Sequence, residues 1–313
     1  LAHTRAFTRE SFAELFQAQN QALLHQADPS KGMDSIDYKE LERKKISFSK
    51  NDHLLIVFNE SGSICPVYKK TTEIPKDLQD ILKIQQYVIE DYSKLTSRDF
   101  VDKMMLILGL ESIIEDKNYI LTADNFYKMV LIILKVRAKI PVIIMGETGC
   151  GKTSLVRYLA SNLLQQEFEI INFHAGLTEK VLTKRIEEIK KKALKLLENP
   201  KILPSGKIKN DIWVLLDEVN TCNCLGLISE LICDHSLLGE KLPANIQFIA
   251  TCNPYRLKKA GIEVGLIRNR KEVAKIASLA YTVNPLPHSL MNFVFDFGSL
   301  SKEDETLYIQ NML

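Results

Sequence analysis

Several things are scarce in this chain of 313 residues, and each scarcity closes off a class of protein. No run approaches the ~20 consecutive apolar residues a membrane-spanning helix needs; the most apolar stretch, Met129 to Met145, is interrupted by Lys135, Arg137 and Lys139. Glycine and proline number only 13 and 10, which excludes collagenous and low-complexity sequence. The six cysteines, at 65, 150, 222, 224, 233 and 252, are scattered and include no C-x₂-C pair. That pattern argues against a disulfide framework and fits free thiols in a reducing cytosol. Charge of one sign is lacking too: 41 Lys and Arg against 39 Asp and Glu leave a formal +2, no general reason to expect a nucleic-acid partner. There is no G-x-S-x-G, and the six histidines are dispersed without a nucleophile beside them. The beginning, Leu1-Ala2-His3-Thr4-Arg5, has neither a Met nor the apolar core of a signal peptide, so a segment of something longer is expected.

What remains is ordinary for a folded chain: 46% hydrophobic and 26% charged residues, with a length that suggests about two domains. Residues 7 to 27 place Phe12, Leu15, Phe16 and Leu23 on one face of an amphipathic helix. Leu54 to Phe58 reads as a strand, closed by Asn59-Glu60-Ser61-Gly62, with Cys65 to Tyr68 as its hairpin mate. Helical periodicity returns over 77 to 110. From about residue 119 the pattern changes to short apolar strands alternating with helices. Strands are expected at 142–145, 168–172, 212–216, 246–250 and near 280–283, with helices over 122–136, 153–164 and 178–198. Continuous apolar strands between helices predict a parallel sheet covered on both faces, an α/β fold.

The sharpest motif is Gly146-Glu147-Thr148-Gly149-Cys150-Gly151-Lys152-Thr153, followed by Ser154. It matches G-x-x-x-x-G-K-[ST] and stands directly between an apolar strand and a helix, where such a loop can turn successive backbone N–H groups toward phosphate oxygens. The helix N-terminus adds its positive dipole end. In that setting Lys152 neutralises the β- and γ-phosphates and the Thr153 hydroxyl ligates Mg²⁺, so ATP with Mg²⁺ is the expected ligand. Sixty-five residues after Lys152, the strand Val214-Leu215-Leu216 ends in Asp217-Glu218. Asp217 would join the Mg²⁺ shell, and Glu218 would act as general base on the attacking water. A third apolar strand ends in Thr251-Cys252-Asn253-Pro254, which offers the Asn253 amide to the same water or to the γ-phosphate.

In this order and spacing the three elements resemble the core of AAA+ ATPases: Walker A, a Walker B Asp-Glu and a sensor-1 Asn, over about residues 119 to 290. The wording of Met145 to Thr153, Leu216 to Thr221 and Ala250 to Arg256 is similar to that of the mysterin family, giant RING-type ubiquitin ligases built around a dynein-like row of AAA+ units. So does the closing Val283-Asn284-Pro285-Leu286-Pro287-His288-Ser289. The resemblance implies a division into 1–115, a helical region or linker from a preceding unit; 116–290, the large α/β subdomain; and 291–313, the start of a truncated helical lid. It implies that Tyr119, Ile120 and Leu121 pass the adenine. It also implies an arginine finger for a neighbouring unit, with Arg268 and Arg270 in the right region. The partners it implies are adjacent units of the same long chain and, through other regions, the ubiquitin machinery. Location would be cytoplasmic, with possible association with lipid droplets. The ligase site itself would lie outside this chain, since no cysteine pairs stand at RING spacing.

Two other signals are weaker. Cys222-Asn223-Cys224 with Cys233 and His235 invites a zinc reading, but one intervening residue between cysteines is short of the two to four that structural zinc uses. Lys190-Lys191-Lys192, with Lys195, Lys201, Lys207 and Lys209, is interleaved with Glu187, Glu188 and Glu198 and lacks stacking aromatics, so a solvated helix face fits better than a nucleic-acid grip. Two functions remain in competition: hydrolysis of MgATP with motion passed between units, or ATP held as a structural clamp with little turnover. Glu218 and Asn253 favour the first, because a clamp needs neither.

Overall fold

The computed structural model describes residues 46–47, 55–58, 64–68, 71–114, 116, 119–202, 208–254, 283–298 and 306. The helix expected over 7–27, the two candidate finger arginines Arg268 and Arg270, and residues 280–282 of the expected last strand lie outside the described residues.

Strands β1 (Ile46–Ser47), β2 (Leu55–Phe58) and β3 (Ile64–Val67) come first, β2 and β3 forming the antiparallel hairpin expected from the sequence. Helices α1 (Lys76–Ile84), α2 (Ser97–Leu108) and α3 (Ala123–Arg137) follow. Thr96 starts α2 through a reciprocal capping box with Asp99, and the Thr122 hydroxyl accepts the Asn125 N–H at the start of α3. Next are β4 (Val142–Met145), α4 (Lys152–Arg157, continued as a π-turn over Tyr158–Leu163) and β5 (Glu167–Asn172). Helix α5 (Glu179–Glu198) leads through a small hairpin, β6 (Lys201–Ile202) with β7 (Ile208–Lys209), to β8 (Ile212–Asp217). Helix α6 (Leu225–Ser229, widening over Glu230–Asp234), the hairpin β9 (Ser236–Leu237) with β10 (Glu240–Lys241), β11 (Ile246–Cys252), α7 (His288–Met291) and β12 (Val294–Asp296) complete the series.

The main sheet runs in the order β1-β12-β4-β11-β8-β5, with each neighbouring pair parallel. Alternation along each strand splits its side chains between two cores. From β4, Val142 and Ile144 face one side and Ile143 and Met145 the other. From β8, Trp213 and Leu215 join the first core and Ile212, Val214 and Leu216 the second. Helices α3 and α4 close the first through Phe126, Met129, Val130, Leu155 and Leu159. Helices α5 and α6 close the second through Leu182, Ile186, Ile189, Leu227 and Leu231. The strand between β4 and β8 in space, β11, comes after both in sequence. That crossover sets the carboxyl ends of β4, β11 and β8 side by side.

Two boundaries differ from the sequence reading. The strand that flanks β4 on its other side is Val294–Asp296, inside the stretch expected to open the lid, and the sheet therefore extends beyond residue 290. Its signal is the alternation of Phe293, Phe295 and Phe297, carried by only three strand residues and weaker than the apolar run near 280–283. Where it is described, the region before 115 packs on the α/β unit. Val67, Tyr68, Leu82, Tyr92 and Phe100 belong to the same buried cluster as α3. Tyr92 and Phe100 meet the Phe126 ring at centroid distances of 5.7 and 5.3 Å.

Candidate functional site

The glycine loop begins where β4 stops. Gly146 is held by its N–H to the Cys252 carbonyl at the end of β11 (3.2 Å), so the loop is anchored to the neighbouring strand before it leaves the sheet. A side chain at Gly146 would press on Cys150 Sγ at 3.0 Å and Phe297 Cβ at 3.1 Å. Gly149 and Gly151 have φ of +83° and +90°, where only glycine is unstrained, and nothing lies within 4 Å of where a Cβ would stand. The loop thus bends through backbone freedom and leaves its outer side open, with Thr148, Gly149 and Gly151 exposed.

Lys152, the first residue of α4, is buried and turns its ammonium back under the loop, donating to Gly146 O at 2.7 Å and Glu147 O at 2.8 Å. Its third donor meets only Cys150 Sγ at 3.9 Å. Burial pushes the Cys150 thiol up from its ordinary pKa, against the opposing pull of Lys152, which keeps that sulfur a neutral neighbour. At the next residue of the helix, the Thr153 hydroxyl donates to Asp217 Oδ2 at 2.9 Å. Ser154 is exposed beside it. The strand order therefore joins the glycine loop's helix to the end of β8, 64 residues apart in sequence, through one direct bond.

Behind Asp217 the chain takes a sharp turn. Glu218 has φ +59° and ψ 43°, a left-handed conformation uncommon for a non-glycine residue, and its N–H donates to Thr251 Oγ1 at 2.9 Å. The Thr251 hydroxyl in turn donates to Asp217 Oδ1. Thr221 closes the turn, its backbone N–H and its hydroxyl both donating to Glu218 O, at 3.0 and 2.8 Å. Asn253 is buried, with Oδ1 accepting a long bond of 3.4 Å from the Thr148 hydroxyl. The expected catalytic and metal-binding side chains are thus brought to one edge of the sheet.

Sequence reasoning missed three residues here. Thr251 ties the two acids together. Asn220, fully buried, holds both backbone groups of Asn253. Phe297 donates its N–H to Met145 O at 2.6 Å and lies 4.0 Å under the Lys128 ammonium, which is ion-paired to Asp124. Thr251 was visible as a polar residue two places before Asn253; the other two have no local signal. At the stretch expected to pass the adenine, Tyr119 stacks on Tyr158 of the π-turn following α4 at 4.2 Å and 14°, while Ile120 and Leu121 are buried and Leu121 donates its N–H to Ser97 Oγ at 2.9 Å. The stretch 119–121 is therefore pinned next to the helix that follows the loop.

The other signals take structural roles. Cys222 and Cys224 are buried, Cys224 Sγ bonding to Leu177 O and burial pushing its thiol up to about 11. No group able to hold a metal ion is found among the described residues. On α5, Arg185 and Lys192 both pair with Glu169, Lys190 pairs with Glu187 and Glu240, and Lys201 of β6 pairs with Glu167. No helix of the described residues is long and apolar enough to cross a membrane.

A parallel sheet of this order, with a glycine loop after β4 and an Asp-Glu after β8, defines an AAA+ P-loop core. Residues 119–256 match the family model described as the RNF213 AAA domain. The chain is 34% identical to the zebrafish (Danio rerio) E3 ubiquitin-protein ligase rnf213-beta over 82% of its own length and 5% of that protein's. It is 31% identical to human RNF213 and 29% identical to mouse RNF213, over 88% and 93% of this chain and 6% of each relative. The chain is an RNF213-like segment that spans about a twentieth of the curated relatives it matches. These relatives are named E3 ubiquitin-protein ligases, the class to which the motif wording also points.

Proposed function

We propose that this unit binds MgATP and hydrolyses it, as one nucleotide-competent AAA+ unit of a dynein-like row inside an RNF213-like ubiquitin ligase. The observation that carries the reading is the bond from Thr153 to Asp217, which joins the phosphate loop to the strand that ends in Glu218.

The residues suit the ligand. Two glycines with positive φ open the loop's outer side, and the buried Lys152 ammonium has a donor engaged only by a distant sulfur. A hydroxyl and a carboxylate already in contact are the hard oxygen donors that Mg²⁺ prefers. Thr153 and Asp217 would hold that ion, which supplies neutralisation of charge on the β- and γ-phosphates. Lys152 and the loop N–H groups bind and orient the phosphate tail. Thr251 keeps Asp217 turned toward Thr153 and holds the Glu218 backbone at the rim of the sheet, where its carboxylate takes a proton from the attacking water. The Asn253 amide orients that water from the β11 side. Tyr119 and Ile120 border the purine beside Tyr158.

Completion of the site by an arginine from an adjacent unit accords with the family, and Arg268 or Arg270 would serve the neighbour in the same way. Such a finger is worth about 10³ to 10⁵ in rate, so turnover belongs to the assembled long chain, in the cytoplasm, with ubiquitin transfer performed by other regions. The test is Glu218→Gln in the full-length protein. Turnover assigned to this unit should fall by at least about 100-fold with ATP still bound. Turnover equal to the parent's would refute the base assignment, and persistent ATP in the unmutated protein would instead favour the clamp.

A further inference from the structure

Three Asn-Pro pairs occur in the sequence, and two of them, Asn253-Pro254 and Asn284-Pro285, meet at a single buried residue, Asn220, the first at its side-chain amide and the second at its main-chain carbonyl. The Asn220 amide bonds both backbone groups of Asn253: Oδ1 accepts its N–H at 3.0 Å and Nδ2 donates to its carbonyl at 2.8 Å. The Asn220 carbonyl accepts the Asn284 N–H at 2.7 Å. Asn284 returns its own amide to Cys222 O at 2.8 Å and Asn223 Oδ1 at 3.1 Å. β11 stops at Cys252, so Asn253 has no strand partner on this side, and the side-chain amide stands in for one.

We infer that Asn220 is a positioning residue for hydrolysis, which sets the Asn253 amide and the Glu218 turn in one register and ties both to the segment 283–298. The inference rests on the hydrolytic reading above. A two-point clamp on the Asn253 backbone fixes the direction of its side chain, which reaches Thr148 in the glycine loop. The same one-turn helix that presents Asn220 begins immediately after Glu218, whose left-handed backbone is held by Thr251 and Thr221. Rotating the Asn220 amide out of place would release the Asn253 backbone, at a residue that the same short helix joins directly to the Glu218 turn. Beyond Asn284, the chain passes through α7 into β12 and ends at Phe297, whose N–H bonds Met145 O and whose Cβ approaches Gly146. The loop, the sensor, the general base and the strand beyond the sensor thus form a closed circuit with Asn220 at the crossing. The three hydrogen bonds of Asn220 all go to Asn253 and Asn284, so Asn220 acts through the groups it holds.

The experiment uses the full-length protein with Asn220→Asp, which keeps the shape and loses the Nδ2 donor, and Asn220→Ala, with Glu218→Gln as reference. Turnover and the affinity for a fluorescent ATP analogue are measured together. The inference expects kcat for the Glu218-dependent turnover to fall at least tenfold in Asn220→Asp, and further in Asn220→Ala, while nucleotide affinity changes less than threefold. Unchanged kcat in Asn220→Asp overturns the inference alone. Affinity lost in proportion to kcat in Asn220→Asp overturns it as well, since a merely structural residue would act that way; Asn220→Ala failing to fold leaves the Asp variant to decide. If Glu218→Gln itself leaves turnover unaltered, the hydrolytic reading fails first and takes this inference with it.

Discussion

Charged and polar side chains gather in two places on the α/β unit, and they are held in opposite ways. At the carboxyl ends of β8 and β11, each polar group has a partner from another element: Thr153 on Asp217, Thr251 between Asp217 and Glu218, Asn220 on Asn253. Along α5 the pairs are solvent-facing ion pairs between long side chains, such as Lys192 with Glu169 and Arg185 with Glu188. The first arrangement fixes positions, because hydrogen bonds among buried groups are costly to leave unmade. The second fixes little, because exposed ion pairs contribute only about 0–1 kcal/mol each. Richness in charge therefore marks a functional site here only where burial and cross-linking accompany it.

The comparison breaks most readily at Lys152. Lys152→Ala removes the ammonium from under the loop and is expected to weaken ATP binding by at least about 30-fold in the full-length protein, read by equilibrium titration with a fluorescent analogue; undiminished affinity would detach the loop from phosphate binding. Lys135 shows a buried charge with a lowered pKa. It is buried on α3 with its ammonium 4.4 Å from the Phe295 ring centroid, and burial pushes its pKa down to about 8 from 10.5. Between those values the unfolded chain binds a proton that the folded chain gives up, so the residue's contribution to stability rises with pH across that window and is lowest below about 8. Lys135→Met should accordingly be more stable than the parent near pH 7 by ~1–3 kcal/mol, with the gap narrowing toward pH 10.5. Denaturant melts of both proteins at several pH values check this, and a gap independent of pH would contradict it. The smallest effect belongs to α5: Lys192→Ala should change stability by less than ~0.5 kcal/mol and leave ATP turnover within about twofold of the parent. A larger loss of turnover would make the lysine face part of the working surface.

Much of this unit could be read from the sequence where the signal is local. The apolar runs 142–145, 212–216 and 246–250 became adjacent parallel strands, because continuous Val, Ile and Leu suit a sheet buried on both faces. The glycine loop could be placed for the same reason, since its strand and helix neighbours are part of the motif. Asn220 was invisible, because nothing in Val219-Asn220-Thr221 says that its amide will meet a backbone 33 residues further on. The strand at Val294–Asp296 was passed over in favour of a longer apolar run, because three residues give period-two alternation little room. Likewise, the packing of Tyr92 and Phe100 onto Phe126 depends on surfaces that only the folded chain brings together. Local chemistry marked the expected site residues, and long-range bonding placed the residues that hold them still.

The most direct measurement is a structure of the full-length protein determined after incubation with excess ATP and magnesium. The expected result is nucleotide density with its phosphates against residues 146–153 and a cation touching both Thr153 and Asp217. An ordered but vacant loop under those conditions, with nucleotide bound elsewhere in the same chain, would contradict it.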